Sequence, residues 1–399
     1  MAGYLKKTIE KTVEGTLFLS STITTLTVLL IIVFLFREGW GLIGSSPVEK
    51  GEALLINKSN KVEKLTGEQI KRVFDQEITN WKELGGSDLE ITLVRIDDIG
   101  NYYTEEQLGP NFEHLGEKVT ELVEATPGII AFIPDKYADK TGRVTHLNPK
   151  KISLFSFVGG TEWYPTGHPA ARFGILSLIM GTLWVSLAAI IIALPLGLAT
   201  AIYMAEIANE KVRRALKPVI ELLSGIPSVV YGFFGLVVIV PAIQKIFALS
   251  VGETALSGAI ILAIMALPTI ITISEDAIRT APRAMKEASL ALGANKWQTI
   301  YKVILPYASS GITAAIILGI GRAIGETMAV LMVTGNSAVM PHSLLQPVRT
   351  IPATIAAELG EAPQGGLHYK ALFALGAVLF IIVLVLNLTV EFGLKKKRR

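Results

Sequence analysis

Six long apolar runs constrain this chain more than any other feature. They cover residues 17–36, 174–204, 219–240, 255–273, 309–334 and 371–390. A hydrocarbon core about 30 Å thick is crossed by roughly 20 apolar residues in a helix, so each run is long enough to span a bilayer. The composition agrees, because 51% of the residues are hydrophobic and only 18% are charged. The chain is therefore predicted to be an all-α membrane protein with six transmembrane helices.

The first apolar run has two interpretations. It follows Lys6, Lys7 and Lys11, as the apolar region of a secretory signal follows basic residues. Signal regions are shorter, at about 7 to 15 residues, and no A-x-A-like cleavage site follows Phe36. We therefore expect a retained membrane anchor at residues 17–36, after a cytoplasmic N-terminus at residues 1–16.

The distribution of Lys and Arg predicts the orientation of the chain. If the N-terminus is inside, the inside segments carry 17 Lys and Arg residues and the two short outside loops carry three. Positively charged loops stay in the cytoplasm. We therefore expect both termini, including a basic tail at residues 393–399, to be cytoplasmic. The net charge of the whole chain is only +3, which does not favour nucleic acid as a partner.

Residues 37–172, between the first two spans, have a soluble composition with 16 Lys and Arg and 21 Asp and Glu. Their patterns alternate in type. Strands are predicted at residues 53–56, 91–96 and 129–133, and helices at 66–74 and 112–123. Thr66 is predicted to cap the first of these helices. The sequence therefore predicts an extracytoplasmic insert with an α/β or α+β fold.

Three runs of the insert, LTGEQI at 65–70, ITNWKELGG at 78–86 and PGIIAFIP at 127–134, resemble the phosphate-binding proteins that feed bacterial phosphate importers. The resemblance covers one lobe of such a protein. Those proteins hold phosphate in a hydroxyl-rich turn after an arginine. Here Arg95 is followed by Asp97 and Asp98, which would repel phosphate. We favour a degenerate lobe with a docking or structural role over a second phosphate site.

The loop between the fourth and fifth spans carries the most specific motif of the chain. Good helix formers from residue 283 to 292 predict a short helix, which Gly293 can end in a left-handed conformation. The motif consists of Glu287, Ala288, Ser289, Gly293, Val303, Leu305 and Pro306. This spacing resembles the coupling motif of ABC importer membrane subunits, with Ser289 and Val303 in place of the usual Ala and Ile. The resemblance implies docking on a separate ATPase, and a surface helix without a partner is the alternative.

The sequence carries no motif of a catalytic or metal site. It has no G-x-x-x-x-G-K-[ST] loop, no H-E-x-x-H helix and no G-x-S-x-G elbow, and its five histidines are scattered. With no cysteine, disulfides and thiolate metal sites are excluded. We therefore expect a non-enzymatic subunit without a cofactor of its own, with ATP and Mg²⁺ bound by a partner.

The fifth span carries two charges near the middle of the bilayer, Arg322 and Glu326. An arginine at that depth costs about 2.5–3.5 kcal/mol, and a glutamate four residues later can pair with it. Gly321 and Gly325 form a small-xxx-small stripe that permits close helix contact. One interpretation is an ion pair that only fixes helix packing. We favour a substrate path in which Arg322 meets an oxyanion, Glu326 holds the guanidinium when the path is empty, and Thr327 lies beside them.

The stretch around Arg322 and the TEWYP run at 161–165 resemble the PstC-type permeases of ATP-driven phosphate importers. This resemblance covers most of a MetI-like permease core with five transmembrane helices at residues 173–392. It implies a bacterial or archaeal plasma membrane, inorganic phosphate as substrate, and three kinds of partner. These are a PstA-like second permease subunit, a PstB-like ATPase dimer, and a soluble or lipid-anchored phosphate-binding protein.

Three other functions remain open at this point. An ABC importer of another oxyanion, molybdate or sulfate, would share the coupling motif. A secondary anion transporter can also use charges within the membrane and broken helices. A membrane-anchored sensor would need a cytoplasmic signalling domain, but the longest predicted cytoplasmic segment has about 32 residues.

Overall fold

The computed structural model describes residues 2–396; Met1 and the last three residues of the predicted basic tail, 397–399, lie outside this range. The described chain forms two compact units. The first comprises the chain up to Ile175 together with Pro363–Ala374. The second comprises Leu176–Ala362 together with the chain from Leu375 onward.

Within residues 2–396, six helical segments are long and apolar enough to cross a membrane, as the sequence predicts. They are Glu10–Trp40, Leu176–Ile207, Ser228–Ile246, Ala255–Arg279, Lys296–Gly325 and Leu367–Phe392. Several predicted limits are wrong, chiefly in the third span, which ends at Ile246 rather than 240, and in the fifth, which begins at Lys296 rather than 309. The third span begins at Ser228 because residues 219–224 belong to a separate polar helix that precedes Pro227. The fifth ends at Gly325, nine residues before its predicted end.

The first unit joins one membrane helix to a small mixed α/β insert. Its helices are α1 (Ala2–Trp40), α2 (Gly67–Phe74), α3 (Glu105–Leu108), α4 (Leu115–Ala125) and α5 (Leu154–Gly159). Its strands are β1 (Glu52–Ile56), β2 (Lys64–Leu65), β3 (Thr92–Arg95), β4 (Ile129–Pro134), β5 (Thr145–His146), β6 (Asn148–Pro149), β7 (Trp163–Tyr164) and β8 (Arg172–Phe173). The three predicted strands and two predicted helices of the insert are confirmed to within a few residues.

The main sheet of the insert has the order β3-β4-β1-β5. The β4 strand pairs parallel with β3 and antiparallel with β1, so the sheet is mixed. Apolar side chains on its two faces form two separate clusters, one containing Trp81 and the other containing Val119. Thr66 caps α2 as predicted, because its hydroxyl accepts the Gln69 N–H and the Gln69 side chain accepts the Thr66 N–H.

The second unit consists of helices. They are α6 (Leu176–Ile202), α7 (Glu210–Ser224), α8 (Ser228–Phe234), α9 (Val240–Ile246), α10 (Ala255–Arg279), α11 (Arg283–Ala291), α12 (Lys296–Thr299), α13 (Leu305–Gly325), α14 (Met328–Val333), α15 (Ile351–Glu358) and α16 (Leu367–Lys396). The first two turns of α16 belong to the first unit. Single π-helical turns extend α6 through Tyr203–Ile207, join α8 to α9 through Gly235–Ile239, and join α12 to α13 through Ile300–Ile304.

The α10 helix is the centre of the second unit and packs most extensively against α6 and α13. Small residues allow this close packing. A Cβ atom on Gly197 of α6 would lie 2.7 Å from Ile270 of α10, and one on Gly311 of α13 would lie 2.3 Å from the Cβ of Ala277. Helices in lipid associate through such close contacts, because burial against lipid tails supplies no hydrophobic driving force.

Candidate translocation site and coupling loop

The predicted fifth span is broken about one turn after Arg322. The α13 helix ends at Gly325, Glu326 has an extended backbone (φ −71°, ψ 133°), and α14 begins at Met328. Within a membrane, irregular backbone is tolerated only where protein or a water-filled cavity surrounds it. Membrane transporters use such broken helices to build substrate sites. The break therefore marks this segment as the candidate site.

The break separates the two predicted charges. The expectation that Glu326 shares a helical face with Arg322 is wrong, because Glu326 lies outside α13. The Glu326 carboxylate instead accepts the Ala329 N–H at 3.4 Å, in the first turn of α14. Such a carboxylate is favourable at a helix N-terminus, which explains the choice of partner.

The Arg322 side chain is half-buried in the last turn of α13. Among the side chains that the structure describes, no carboxylate oxygen lies within 4.0 Å of its guanidinium nitrogens. It lies close enough to the Tyr231 phenol of α8 to act on it electrostatically. The Tyr231 hydroxyl itself donates to the Leu223 carbonyl at 2.8 Å. Arg322 is thus a cation within a predicted span with no anionic partner in the described part of the chain.

A cleft of about 510 Å³ opens at the break. It is lined by Gly325 and Thr327 at the break, by residues of α15 and the turn after it, and by Leu379 of α16. Neither Arg322 nor Glu326 lines this cleft, so the structure brings together only two of the five predicted path residues there. Gly321 and Gly325 have open space around the position of a Cβ atom within the described residues. The close helix contact expected of that stripe is therefore not made among the described residues.

The α15 helix is fixed in place by polar contacts. Thr350 caps it by accepting the Ala353 N–H, and the Ile351 N–H donates to the Thr182 hydroxyl of α6 at 3.0 Å. Arg349 pairs with Glu358 at 2.8 Å across the length of the helix. The α15 residues that line the cleft are thus anchored to the second membrane helix.

The short helix predicted at residues 283–292 is present as α11. Gly293 ends it with φ of 88°, as predicted, and its N–H donates to Leu290 O while the Ala294 N–H donates to Ser289 O. This pair of bonds is the Schellman arrangement, which satisfies the last carbonyls of the helix. The Ser289 and Thr299 hydroxyls lie 2.9 Å apart and hold α11 against α12.

The loop exposes most of its motif. Glu287, Ala288, Gly293 and Pro306 are exposed, whereas Ser289, Val303 and Leu305 are half-buried. Large apolar side chains are exposed beside them, with Leu292 at 90% and Trp297 at 66%. The second half of the loop is the start of a continuous helical segment, Lys296–Gly325, that ends at the break.

Two ion-pair groups near this loop were not predicted. Lys286 of α11 pairs with Glu206 in the π turn after α6. Glu275, 1% exposed at the end of α10, accepts Arg213 of α7 at 2.9 Å and lies 3.6 Å from both Lys217 and Arg279. Apart from the local Arg279 pair, the partners are 58 to 80 residues apart, so the sequence showed only the regular spacing of basic residues on α7 and not their partners.

In the insert, the turn after Arg95 holds a carboxylate of the chain itself where a bound phosphate would lie. Asp98 accepts the Arg95 N–H at 2.9 Å, and the Arg95 guanidinium stacks over the Phe74 ring at 5.6 Å. A neighbouring cavity of about 250 Å³ is lined by Arg95, His168 and the carboxylates of Glu52 and Asp97. Burial raises the pKa of Glu52, His168 opposes that shift, and Glu49 adds to it. These carboxylates disfavour an anion in the cavity.

No group of three or more His, Cys, Asp or Glu side chains that could hold a metal ion occurs among the described residues. The expectation that the chain has no cofactor of its own remains a prediction.

Two family profiles match the chain. Residues 193–395 match the binding-protein-dependent transport system inner membrane component family, and residues 42–166 match the PBP superfamily domain. The chain is 41% identical over 241 residues to a probable ABC transporter permease protein, YqgH, of Bacillus subtilis, covering 60% of this chain and 78% of that protein. This chain belongs to the binding-protein-dependent transport system inner membrane components. Within this family it is of the PstC type.

A second relative supports the assignment. The phosphate transport system permease protein PstC of Mesorhizobium japonicum is 39% identical over 251 residues, covering 58% of this chain and 76% of that protein. A chain of the inward-facing MetNI methionine ABC transporter aligns over 56% of this chain and 96% of its own at 21% identity. Its TM-score of 0.44 is too low to add to the assignment.

Proposed function

We propose that this chain is a membrane permease subunit of an ATP-driven importer of inorganic phosphate. The family membership supports a permease, and the PstC relatives support phosphate as the substrate. The observation that carries the proposal is Arg322, whose guanidinium has no carboxylate partner among the described residues and which lies in the last turn of α13, directly before the helix break.

The chemistry of Arg322 suits an oxyanion. A planar guanidinium offers paired N–H donors that match the geometry of two phosphate oxygens. The negative end of the helix dipole stabilises the cation while the path is empty, a role that the prediction gave to Glu326. A phosphate arriving at the break would supply the missing counter-charge, so Arg322 binds substrate along the path. Gly325 and Thr327 border the adjoining cleft, and Gly321 leaves space beside the helix.

The coupling loop is proposed to dock on a partner ATPase. Its exposed motif and exposed apolar side chains supply the docking surface. Movement of α11 would reach the membrane helices by two routes: through the Lys286–Glu206 pair to α6, and through the helical segment Lys296–Gly325 to Arg322. That segment is about 45 Å long at 1.5 Å per residue, so it can act as a lever across the membrane.

The orientation and partners follow from this function. Both termini and the coupling loop face the cytoplasm, where ATP and Mg²⁺ are bound by a PstB-like ATPase dimer. The insert, including residues 42–166, lies outside. A PstA-like permease subunit completes the path, and a phosphate-binding protein delivers the substrate. The insert serves docking or structure, because Asp98 occupies the turn that would hold phosphate.

Transport assays test the proposal. The chain is reconstituted in vesicles with its cognate permease, ATPase and binding protein, and uptake of radiolabelled phosphate is measured with and without ATP. We expect ATP-dependent uptake that excess unlabelled phosphate suppresses and excess sulfate or molybdate does not. If sulfate or molybdate suppresses the uptake of labelled phosphate and unlabelled phosphate does not, the result would support an importer of that oxyanion. Uptake that needs an ion gradient and no ATPase would support a secondary transporter instead.

A further inference from the structure

The short helix α5 of the insert is tied to the chain next to two membrane helices. The Gly44 N–H donates to Ile152 O at 2.8 Å, and the Ile152 N–H donates to Ser45 O at 2.9 Å. At its other side, the Ile175 N–H donates to Phe157 O at 3.0 Å. Gly44 and Ser45 follow the end of α1, and Ile175 is the residue immediately before α6. Within the first unit, these bonds fix α5 to the residues that follow α1 and to Ile175.

The distance from α5 to the membrane is short. Gly44 comes four residues after Trp40, the last residue of α1, so the chain can carry it no more than about 14 Å from that helix end. Trp40 is 67% exposed, as expected of a tryptophan at a membrane–water interface. Near the same end, α1 packs against the start of α16, where the Phe34 and Phe373 rings are 5.4 Å apart. These contacts place α5 at the level where α1 leaves the bilayer.

The helix presents its apolar residues in two directions. Phe157 is 1% exposed and belongs to the packed interior of the insert. Leu154 and Phe155 point outward, and Phe155 is 88% exposed. A large aromatic side chain this exposed beside another exposed apolar residue is costly in water, so the pair indicates a surface that is covered in the working protein.

The charges around α5 are mainly positive. Lys150 and Lys151, both exposed, precede the helix and line a cavity of about 380 Å³ beside it. Arg172 and Glu162 also line this cavity and pair with each other. Glu68 is the remaining carboxylate there, so the lining carries a net positive charge.

We propose that α5 is a lipid-binding element that anchors the insert on the bilayer surface. Leu154 and Phe155 enter the boundary between headgroups and acyl chains, and Lys150 and Lys151 meet the phosphates of anionic headgroups. Exposed apolar residues next to lysines are the combination that interfacial segments use. Continuity with α1 favours lipid over a soluble partner, because the element already lies at the membrane exit. This proposal does not depend on which anion is transported.

The absence of cysteine makes a direct test possible. In the full-length chain, Phe155→Cys introduces a single thiol that can carry a nitroxide spin label, and Phe112→Cys gives a matched label at an exposed phenylalanine elsewhere on the insert. Both proteins are placed in nanodiscs of phosphatidylglycerol and phosphatidylethanolamine. The accessibility of each label to oxygen, which concentrates in lipid, and to a water-soluble nickel chelate is measured by electron paramagnetic resonance.

The label at position 155 is expected to favour oxygen over nickel, at a depth of about 5–10 Å below the headgroups. The label at position 112 is expected to favour nickel. Equal nickel access at the two positions would overturn the proposal by showing that α5 lies in water. Low access of both reagents at position 155 would also overturn it, because protein rather than lipid would then cover the helix.

The two lysines are tested separately. With the label at position 155, Lys150→Glu together with Lys151→Glu should shift the accessibility ratio toward nickel in discs containing phosphatidylglycerol. The same pair of changes should leave the ratio unchanged in discs of neutral phosphatidylcholine. An unchanged ratio in the anionic discs would contradict the headgroup role of the lysines.

Discussion

Arg95 in the insert and Arg322 in the predicted fifth span both stand at the end of a regular element, but their surroundings differ. Arg95 ends β3, its N–H is accepted by Asp98, and its guanidinium stacks on Phe74 and donates to the Phe74 carbonyl at 3.3 Å. Arg322 has no carboxylate within reach in the described part of the chain. The difference is that the Arg95 guanidinium has contacts within the chain, whereas Arg322 has no carboxylate partner among the described residues, which is why the proposed function assigns an anion to Arg322 and not to Arg95.

The largest expected effect comes from replacing Arg322, which has no carboxylate partner among the described residues. Arg322→Ala should lower phosphate uptake in reconstituted vesicles by about 10- to 150-fold, because hydrogen bonds to a charged group contribute roughly 1.5–3 kcal/mol. Arg322→Lys should recover part of the activity, since it keeps the charge and loses the planar donor pair. Co-purification with the partner subunits checks that assembly is intact.

The matched control is Arg95→Ala in the insert. Because the Arg95 guanidinium already contacts the Phe74 ring and carbonyl, this change should leave phosphate uptake and its dependence on phosphate concentration unaltered. Normal uptake by Arg322→Ala, or a similar loss in both variants, would remove the distinction between the two arginines.

The ion pair of Lys286 and Glu206, near the proposed coupling loop, extends the comparison of Arg95 and Arg322, because here the cation has a carboxylate partner. Lys286→Glu sets two carboxylates against each other and should lower ATP-driven uptake by about 2- to 30-fold, equivalent to roughly 0.5–2 kcal/mol of coupling. The double variant Lys286→Glu with Glu206→Lys restores the pair in reverse and should recover most of the uptake. ATPase activity measured on the same vesicles shows whether hydrolysis continues without transport. A double variant as poor as the single one would exclude the pair as a route of coupling.

Asp139 is a buried, hydrogen-bonded carboxylate of the insert, and it should make the local stability of the insert depend on pH. Burial tends to raise the pKa of Asp139, but hydrogen bonds from Thr141, Val144 and Arg143 outweigh it and lower the pKa to about 2. The folded pKa is below the ordinary value of 3.8, so this stabilisation is present above about pH 4 and is lost as the pH falls toward 2. Hydrogen exchange of residues 139–147 in the full-length protein should show this loss of protection.

Asp139→Asn is the control for that measurement. It should weaken protection at neutral pH by about 1–3 kcal/mol, because buried donors lose their acceptor. It should also remove the part of the acid dependence that belongs to this loop. An acid dependence equal to that of the unchanged protein would assign the effect to other carboxylates.

The smallest expected effect concerns the end of α11. Gly293→Ala forces a side chain into the left-handed region and should cost roughly 1–2 kcal/mol of local stability. Gly142 of the insert also has a positive φ, and beyond its chain neighbours no described atom lies within 4 Å of its Cβ position, so Gly142→Ala carries a similar strain away from the loop. Thermal unfolding should respond alike to both changes, while phosphate-stimulated ATPase activity should fall only for Gly293→Ala. An equal fall in both would show that Gly293 has only a structural role.

Features set by local sequence were predictable. Apolar length located the six membrane helices, and the Thr66 cap and the Gly293 turn followed from short-range chemistry. The break after Gly325 was missed because the residues on both sides are apolar and continue the helical pattern. Glycine followed by a glutamate that can cap the next helix is the signal that was available there.

Features that depend on distant residues were not predictable. The pairing of Lys286 with Glu206 joins positions 80 residues apart, and nothing in either segment specifies the other. The same holds for Glu275, whose burial appears only when α7 packs on α10. Conversely, the expected pair of Arg322 and Glu326 rested on helical periodicity alone, and a two-residue interruption was enough to separate them.

The π-helical turns at Tyr203–Ile207, Gly235–Ile239 and Ile300–Ile304 each hold one residue more than an α-helical turn would. Sliding that surplus residue along its helix would rotate the side chains it passes by about 100° without unwinding the helix. A helix carrying such a turn can therefore present alternative faces to the same neighbours. Three of the six membrane helices therefore contain a turn through which part of the helix can rotate about its axis by one residue at a time.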